Sequence, residues 1–590
     1  MKKVLNTLLF AFLIFFVSCN KDELVTDSAS APVIIIDNDE GVFEIKKGRE
    51  LIISPDYRYI ENAVFSWTLN GKYISSAPEF IYTFTEEGIY YVQLRIDNNY
   101  GYAEEEFRVD VKELTPPVIT YNIPTQGLKV MKNTDFIIEP DFMYDDLEGF
   151  NVVWKRNGNI VSNGKTYIFN ESEIGIYNIN IEASNVDGKT NYDLEINVVN
   201  DMPYVATFPV PCYCSQSTDR YTYVNRSVYL RPHIEYFDNP VYKWFVNGKE
   251  VVGMTERTYP FTPSSSGEYI VTLKVFEGTE EKVSTDVRVI CVDETEDAKL
   301  RPQSAASSML WNKVYDFTPA PGQFVNETNV NTGYTGKEQT MEQAIEYATS
   351  RLKEKRYVSL GTFGGYIVVG FDHSVVNNGG SNYDFAIQGN AFTSSNEPGI
   401  VWVMQDINGN GLPDDEWYEL KGSETGLPYT VQDYEVTYFR PAPNAKETRW
   451  TDSFGNSGKM DHNIYHTQPY YYPNWIQQNS YTLCGTCLRS RNVQSGGYWS
   501  NDSYDWGYVD NAGNDCLSGD GLTGSGQRNG FKISNAIYPD GKPVKLKYID
   551  FIKVQVGVLA VSGALGEIST EVYSLSLIHI SEPTRLRCIS

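Results

Sequence analysis

One signature occurs three times and limits what this chain can fold into: Trp67…Asn70-Gly71, Trp154…Asn157-Gly158 and Trp244…Asn247-Gly248. The tryptophans stand 87 and 90 residues apart, the length of a small β-sandwich and too long for a solenoid repeat. Each signature is followed by Gly-x-Tyr (Gly88-Ile-Tyr90, Gly175-Ile-Tyr177, Gly267-Glu-Tyr269) and then by alternation such as Tyr91 to Ile96 and Tyr269 to Val275. Period-two alternation of β-branched and aromatic residues with polar ones marks half-buried strands. Asn-Gly between two such runs favours a type I′ hairpin, because both central positions need positive φ. Each repeat therefore reads as a seven-strand-like sandwich with its tryptophan packed across two sheets.

On these residues the repeats resemble polycystic-kidney-disease (PKD) type, immunoglobulin-like domains. The boundaries fall at 32–113, 114–199 and 200–295, with Pro116, Pro117 and Pro203 stiffening the joins. The resemblance implies either spacers that lift a distal domain off a surface, the favoured reading, or contacts of adhesion or glycan type.

From about residue 300 the character changes. Met341, Ile345, Ala348 and Leu352 recur at helical spacing, and Thr340 with Gln343 forms a capping-box pattern, so one helix is expected over 340–355. The remainder is strand and turn: Tyr366–Phe371, Tyr383–Ile387, Ile400–Met404 and Tyr548–Val556. The stretches Leu360–Asp372, Tyr383–Phe392 and Ile549–Gln555 are similar to strands of jelly-roll domains related to discoidin and galactose-binding sandwiches, over roughly 360–572. That resemblance implies a non-catalytic binding module, here with a long insertion at about 440–530. The expected fold class is all-β: three tandem immunoglobulin/PKD-like sandwiches, then a larger jelly-roll sandwich over 296–574 with one short helix.

Both ends read as something other than fold. Residues 1–19 start with two lysines, continue with an apolar run from Leu8 to Val17, and end at Phe16-Val17-Ser18-Cys19. This is the pattern of a secretory signal, and the junction looks like a lipobox, which makes Cys19 the lipidated first residue of the mature chain. Asn20-Lys21-Asp22-Glu23, in the 20–31 linker, is similar to tracts that route lipoproteins to an outer surface. At the other end Leu575 to Arg585 resembles the translation of a sequencing-library adapter, so 575–590, with His579 and Cys588, is set outside the fold.

Lysine and arginine total 49 against 76 acidic residues, a net charge of −27. Phosphate recognition rests on clustered cations, so a nucleic-acid partner is not expected. Five histidines limit histidine-based chemistry. His462 and His466 lack the intervening glutamate of a zinc protease and precede Pro469. No Gly-x-Ser-x-Gly elbow, phosphate loop or dinucleotide fingerprint occurs, and enzymatic activity is not expected.

Three groups of residues carry chemistry. In Asp406-Ile-Asn408-Gly-Asn410-Gly-Leu412-Pro-Asp414-Asp-Glu416, oxygen ligands at alternate positions with glycine at the sixth suit a hard cation. Asp406, Asn408, Asn410, the Leu412 carbonyl and Asp414 or Glu416 would hold a structural Ca²⁺; position twelve is Trp417, and an Asx-rich hairpin turn is the alternative. The cysteines of an exported protein favour disulfides: Cys212 or Cys214 with Cys291, and a loop disulfide among Cys484, Cys487 and Cys516 that leaves one unpaired. Finally, Tyr470, Tyr471, Tyr472, Trp475, Trp499 and Trp506 lie in polar insertion loops. Their rings either stack on a sugar or planar cofactor or cover the sandwich core. The expected function is ligand capture at the cell surface, with a glycan as first ligand class. A corrinoid passed to a TonB-dependent receptor and a structural adhesin are the alternatives.

Overall fold

A computed structural model describes residues 30–578 apart from 39–40, 443–444, 464, 467 and 519–526. Cys19 and the 1–19 leader lie outside the described residues, as do His579 and Cys588. The described residues divide into two compact units: the first sandwich belongs to one, the second and third sandwiches and the tail to the other.

The architecture is all-β with a single α-helix among the described residues. Each repeat has a five-stranded sheet in which the first strand runs parallel to the last; in the first repeat Val42–Lys46 pairs with Gly101–Lys112. Two-stranded ladders such as Glu50–Ile53 with Phe80–Thr83 form the opposing layer. Trp67, Trp154 and Trp244 are 0% exposed. Each indole N–H donates to a carbonyl in the segment after its hairpin, of Ala77, Gly164 and Glu256, at 2.9, 2.7 and 2.9 Å, so burial leaves the indole N–H satisfied. The turns have φ 48° and 77° at Asn70-Gly71, 49° and 79° at Asn157-Gly158, and 48° and 79° at Asn247-Gly248, the type I′ geometry expected. The Gly-x-Tyr tyrosines donate to carbonyls four residues upstream, Tyr90 to Glu86, Tyr177 to Glu173 and Tyr269 to Ser265.

In the tail, a six-stranded antiparallel sheet runs in the order Lys313–Thr318, Tyr366–Val376, Tyr548–Val556, Gly399–Met404, Tyr418–Leu420 and Ala536–Ile537. A four-stranded sheet orders Cys516–Leu517, Arg528–Phe531, Phe385–Gln388 and Ser574–Leu577, and another orders Ser457–Met460, Thr448–Asp452, Val431–Phe439 and Ser480–Cys487. Much of the insertion is thus strand rather than loop. The helix spans Met341–Lys353 with the expected capping box: Thr340 accepts from the Gln343 N–H while the Gln343 side chain accepts from Thr340 N–H.

Two expectations need correction here. The fold runs past residue 574: Leu575 and Leu577 are 0% and 3% exposed on an edge strand that satisfies the otherwise open backbone edge of Phe385–Gln388. The disulfides also differ. Cys212 is bonded to Cys214, while Cys291 is a buried free thiol at the end of the last strand of the third repeat. Cys484 and Cys487 are free and share the strand Ser480–Cys487. Three residues along an extended strand span about 10 Å, beyond the Cα separation a disulfide tolerates. Cys516 is free as well.

Candidate functional site

The loop 406–416 is closed by its own hydrogen bonds. The Asp406 carboxylate accepts from the N–H groups of Asn410 and Gly411 at 3.1 and 2.9 Å. Asn408 and Asn410 both donate their amides to Asp414 at 3.0 Å, and Leu412 N–H donates to the Asn410 side chain at 2.8 Å. Asp406, Asn408, Asn410, Leu412 and Asp414 are therefore brought together. Glu416 is not, which corrects its place in the ligand set. It accepts from Tyr229 N–H of the third repeat at 3.3 Å, and burial, opposed by Arg231 and Arg220, pushes its carboxyl up to about 7. The carboxylate that turns back into the loop is Asp415, which accepts from Ile407 N–H at 2.6 Å.

The six ring residues separate. Tyr471, Tyr472 and Trp475 are 1%, 0% and 5% exposed and cannot offer a face to a ligand. Tyr472 meets Tyr481 edge-on at 5.1 Å, Trp475 stacks 5.9 Å from Phe317, and the Tyr471 hydroxyl accepts from Asn463 N–H. The physical reason is apolar cover: Tyr472 and Trp475 are part of the tail's hydrophobic core, and Tyr470 packs against it. Tyr470 and Trp499 are half-buried, with Trp499 packed on Gly563, where a Cβ would collide with the indole. Trp506 is exposed and lines a groove of about 300 Å³ with Tyr383, Lys421, Asp515, Lys532 and Asn535.

A larger groove, about 520 Å³, lies at the C-terminal end of the helix, between Phe324, Glu327, Tyr357, Tyr465, His466 and Tyr573. Phe324 meets two of these rings edge to face, His466 at 5.0 Å and Tyr357 at 6.2 Å, and Tyr357 lies tilted 5.6 Å from Tyr573. His466 Nδ1 is 2.9 Å from the Glu327 carboxylate, which fixes the imidazole. Arg351, Lys355 and Arg356 also line it. Arg351 is buried and donates to the carbonyls of Tyr357 and Asn331, close against Gly333, where a Cβ would lie 2.9 Å from the side chain. Just past the helix, Lys355 sits at φ 57°, a left-handed position that glycine usually fills. Arg356 extends into a neighbouring groove of about 530 Å³ along the helix. Three cations in so acidic a chain make this groove electrostatically distinct. The sequence held a signal for it in Lys353-Glu-Lys-Arg356, a basic cluster with Tyr357 next to it.

Near Tyr573 three carboxylates converge, those of Glu397, Asp510 and Glu571, with ligand atoms within 4.8 Å of one another. Burial pushes Glu397 up to about 8 and Asp510 up to about 7, and pushes Glu571 well above the ordinary range. Asp510 lies 113 positions after Glu397 and Glu571 a further 61 on, and no local motif marks them.

The sequence model of the PKD-like domain matches residues 31–98, 116–185 and 214–277. No curated protein matches the chain. Among solved structures, an I-band fragment of titin aligns at 12% identity over 45% of this chain and 99% of its own, with a TM-score of 0.20. Three N-terminal domains of the bacteriophage RB49 highly immunogenic outer capsid protein align at 12% identity over 45% and 100%, with a TM-score of 0.22. Fibronectin(III)-like modules of Clostridium thermocellum CbhA align at 17% identity over 28% and 93%, with a TM-score of 0.16. The chain carries three PKD-like domains in tandem ahead of an all-β tail, an arrangement that suggests a surface or adhesion-type role.

Proposed function

We propose that the protein is an outer-surface lipoprotein, anchored through Cys19, whose tail domain captures a ligand without turning it over. The observation that carries this reading is the groove of Phe324, Tyr357, Tyr465, His466 and Tyr573 with Arg356 and Lys355 at its rim. Ring faces and edges supply apolar contact with a sugar, and the cations supply directed hydrogen bonds to its oxygens. A glycan, including one with carboxylate or sulfate groups, is the first ligand class. Arg356 lines two adjoining grooves, which favours a larger ligand as the second reading, a corrinoid handed to a TonB-dependent receptor. Structural Ca²⁺ in the 406–414 loop belongs to the same proposal; an ion there would replace the amide donors now facing Asp414.

The test is calorimetry of the full chain against neutral and anionic oligosaccharides and cobalamin, repeated with Tyr465→Ala and Arg356→Ala. Tyr465 is 72% exposed, so its loss should leave folding intact while weakening binding about tenfold, the worth of one well-placed ring contact. Binding that ignores both variants and disappears with Trp506→Ala would move the site to the smaller groove. Absence of binding to every panel member would refute ligand capture by these classes.

A further inference from the structure

Glu397, Asp510 and Glu571 come from three separate segments: the approach to the strand Gly399–Met404, the loop after Tyr508, and the short strand Glu571–Val572. Asp510 and Glu571 are 1% and 3% exposed. None of the three carboxylates forms an ion pair among the described residues. Backbone donors meet part of their demand. Asp510 Oδ1 accepts from the N–H groups of Asn390 and Ala391 at 2.6 and 2.7 Å, Asp510 Oδ2 from Glu571 N–H at 2.9 Å, and Glu397 Oε1 from Ser569 N–H at 3.3 Å. Glu571 Oε1 is buried within this cluster and meets no donor from outside it, so that only the carboxyls of Glu397 and Asp510 face it. A buried carboxylate oxygen so placed forfeits its hydration without compensation.

We infer that Glu397, Asp510 and Glu571 form a binding site for one hard divalent cation, Ca²⁺ by its chemistry. The donor set is all oxygen. Ligand atoms up to 4.8 Å apart fit around an ion bound at about 2.3–2.6 Å, and Ca²⁺ accepts the irregular geometry that Mg²⁺ does not. The backbone is already committed to this arrangement. Asp510 is held at φ 56°, and Gly389 approaches so closely that a Cβ there would collide with the Asp510 side chain. The site is separate from the 406–414 loop and shares no residue with it. It joins segments that are far apart in sequence, and it stands whether or not the groove beside Tyr573 binds a glycan.

The full chain, stripped of metal with EDTA and exchanged into chelator-treated buffer, is titrated with Ca²⁺ by calorimetry and with Tb³⁺ by sensitised luminescence. Glu571→Gln should lower the number of Ca²⁺ bound by one relative to the parent protein, whatever the 406–414 loop binds. It should also abolish part of the Ca²⁺-induced rise in melting temperature. Glu397→Gln, at the less buried corner, provides a second variant should Glu571→Gln fail to fold, and should weaken that same equivalent at least tenfold. An unchanged Ca²⁺ count in both variants overturns the site. So does a parent protein that melts identically with and without Ca²⁺ while Glu571→Gln raises stability at neutral pH, the signature of carboxyls sharing protons instead.

Discussion

Glu419 is 4% exposed on the strand Tyr418–Leu420, where its carboxylate accepts from the Thr486 hydroxyl. Burial pushes it up to about 7, with Thr486, Gln432 and Lys553 opposing the shift. A carboxyl that holds its proton more tightly when folded stabilises the fold below the unfolded value of about 4.5, and that contribution is lost as pH rises through about 7. The Glu419→Gln variant should therefore lose less stability between about pH 5 and 7.5 than the parent, by roughly 2 kcal/mol. Denaturant melts at both pH values check this, and parallel pH slopes would contradict it. Little of this is legible in the sequence: nothing in Trp417-Tyr-Glu419-Leu420 distinguishes an inward glutamate from a solvent-facing one. The three tryptophans are the opposite case. A large apolar ring followed at fixed distance by Asn-Gly has few folded positions open to it, and all three are buried.

The helix shows how far local pattern reaches among the elements. Its capping box and buried face are legible because both depend on residues three and four apart. Thr340→Ala should cost about 1 kcal/mol and lower the thermal midpoint of the tail, read by calorimetry. It should also loosen the groove, because the last turn delivers Arg351 and leads into Lys355 and Arg356. The free state of Cys484 and Cys487 and the burial of the tyrosine cluster escape sequence reading for one shared reason. Both depend on the strand Ser480–Cys487 and its partners, and Gly485 and the two cysteines mask its alternation. The repeats hold a further regularity. Tyr59, Tyr144 and Tyr236 each follow a short strand with φ near 60°, and Pro55, Pro140 and Pro232 stand four residues before them. A bulky residue in the left-handed region three times over marks a shared geometry of the repeat, visible in sequence as Pro-x-x-x-Tyr. The grooves and the carboxylate cluster are beyond the reach of local pattern, since each is assembled from segments distant in the chain.

Across the larger unit, the third repeat is docked on the tail instead of merely preceding it. Arg226 meets Glu296 at 3.4 Å and Gln405 at 2.5 Å, Arg257 meets Glu435 at 3.0 Å, Arg231 pairs with Asp433, and the Tyr538 hydroxyl accepts from Ser227 N–H at 3.3 Å. Arg231→Ala would remove the partly exposed pair with Asp433 and deprive Glu416 of one of its two opposing cations, at a cost of about 1 kcal/mol. The expected outcome is faster proteolysis in the 292–312 connection with the melting of the first repeat unchanged. Equal cleavage rates would show that the docking depends on the other contacts.

The strand order of the six-stranded sheet bears on how the protein is made. Tyr548–Val556 sits between Tyr366–Val376 and Gly399–Met404, so the two flanking strands leave the ribosome long before their shared neighbour exists. Until then each has an unsatisfied edge and an apolar face, and such long-range closure is slow and prone to mispairing. Biogenesis of this head should therefore depend on holdases that keep early strands apart, far more than biogenesis of the locally wired repeats ahead of it.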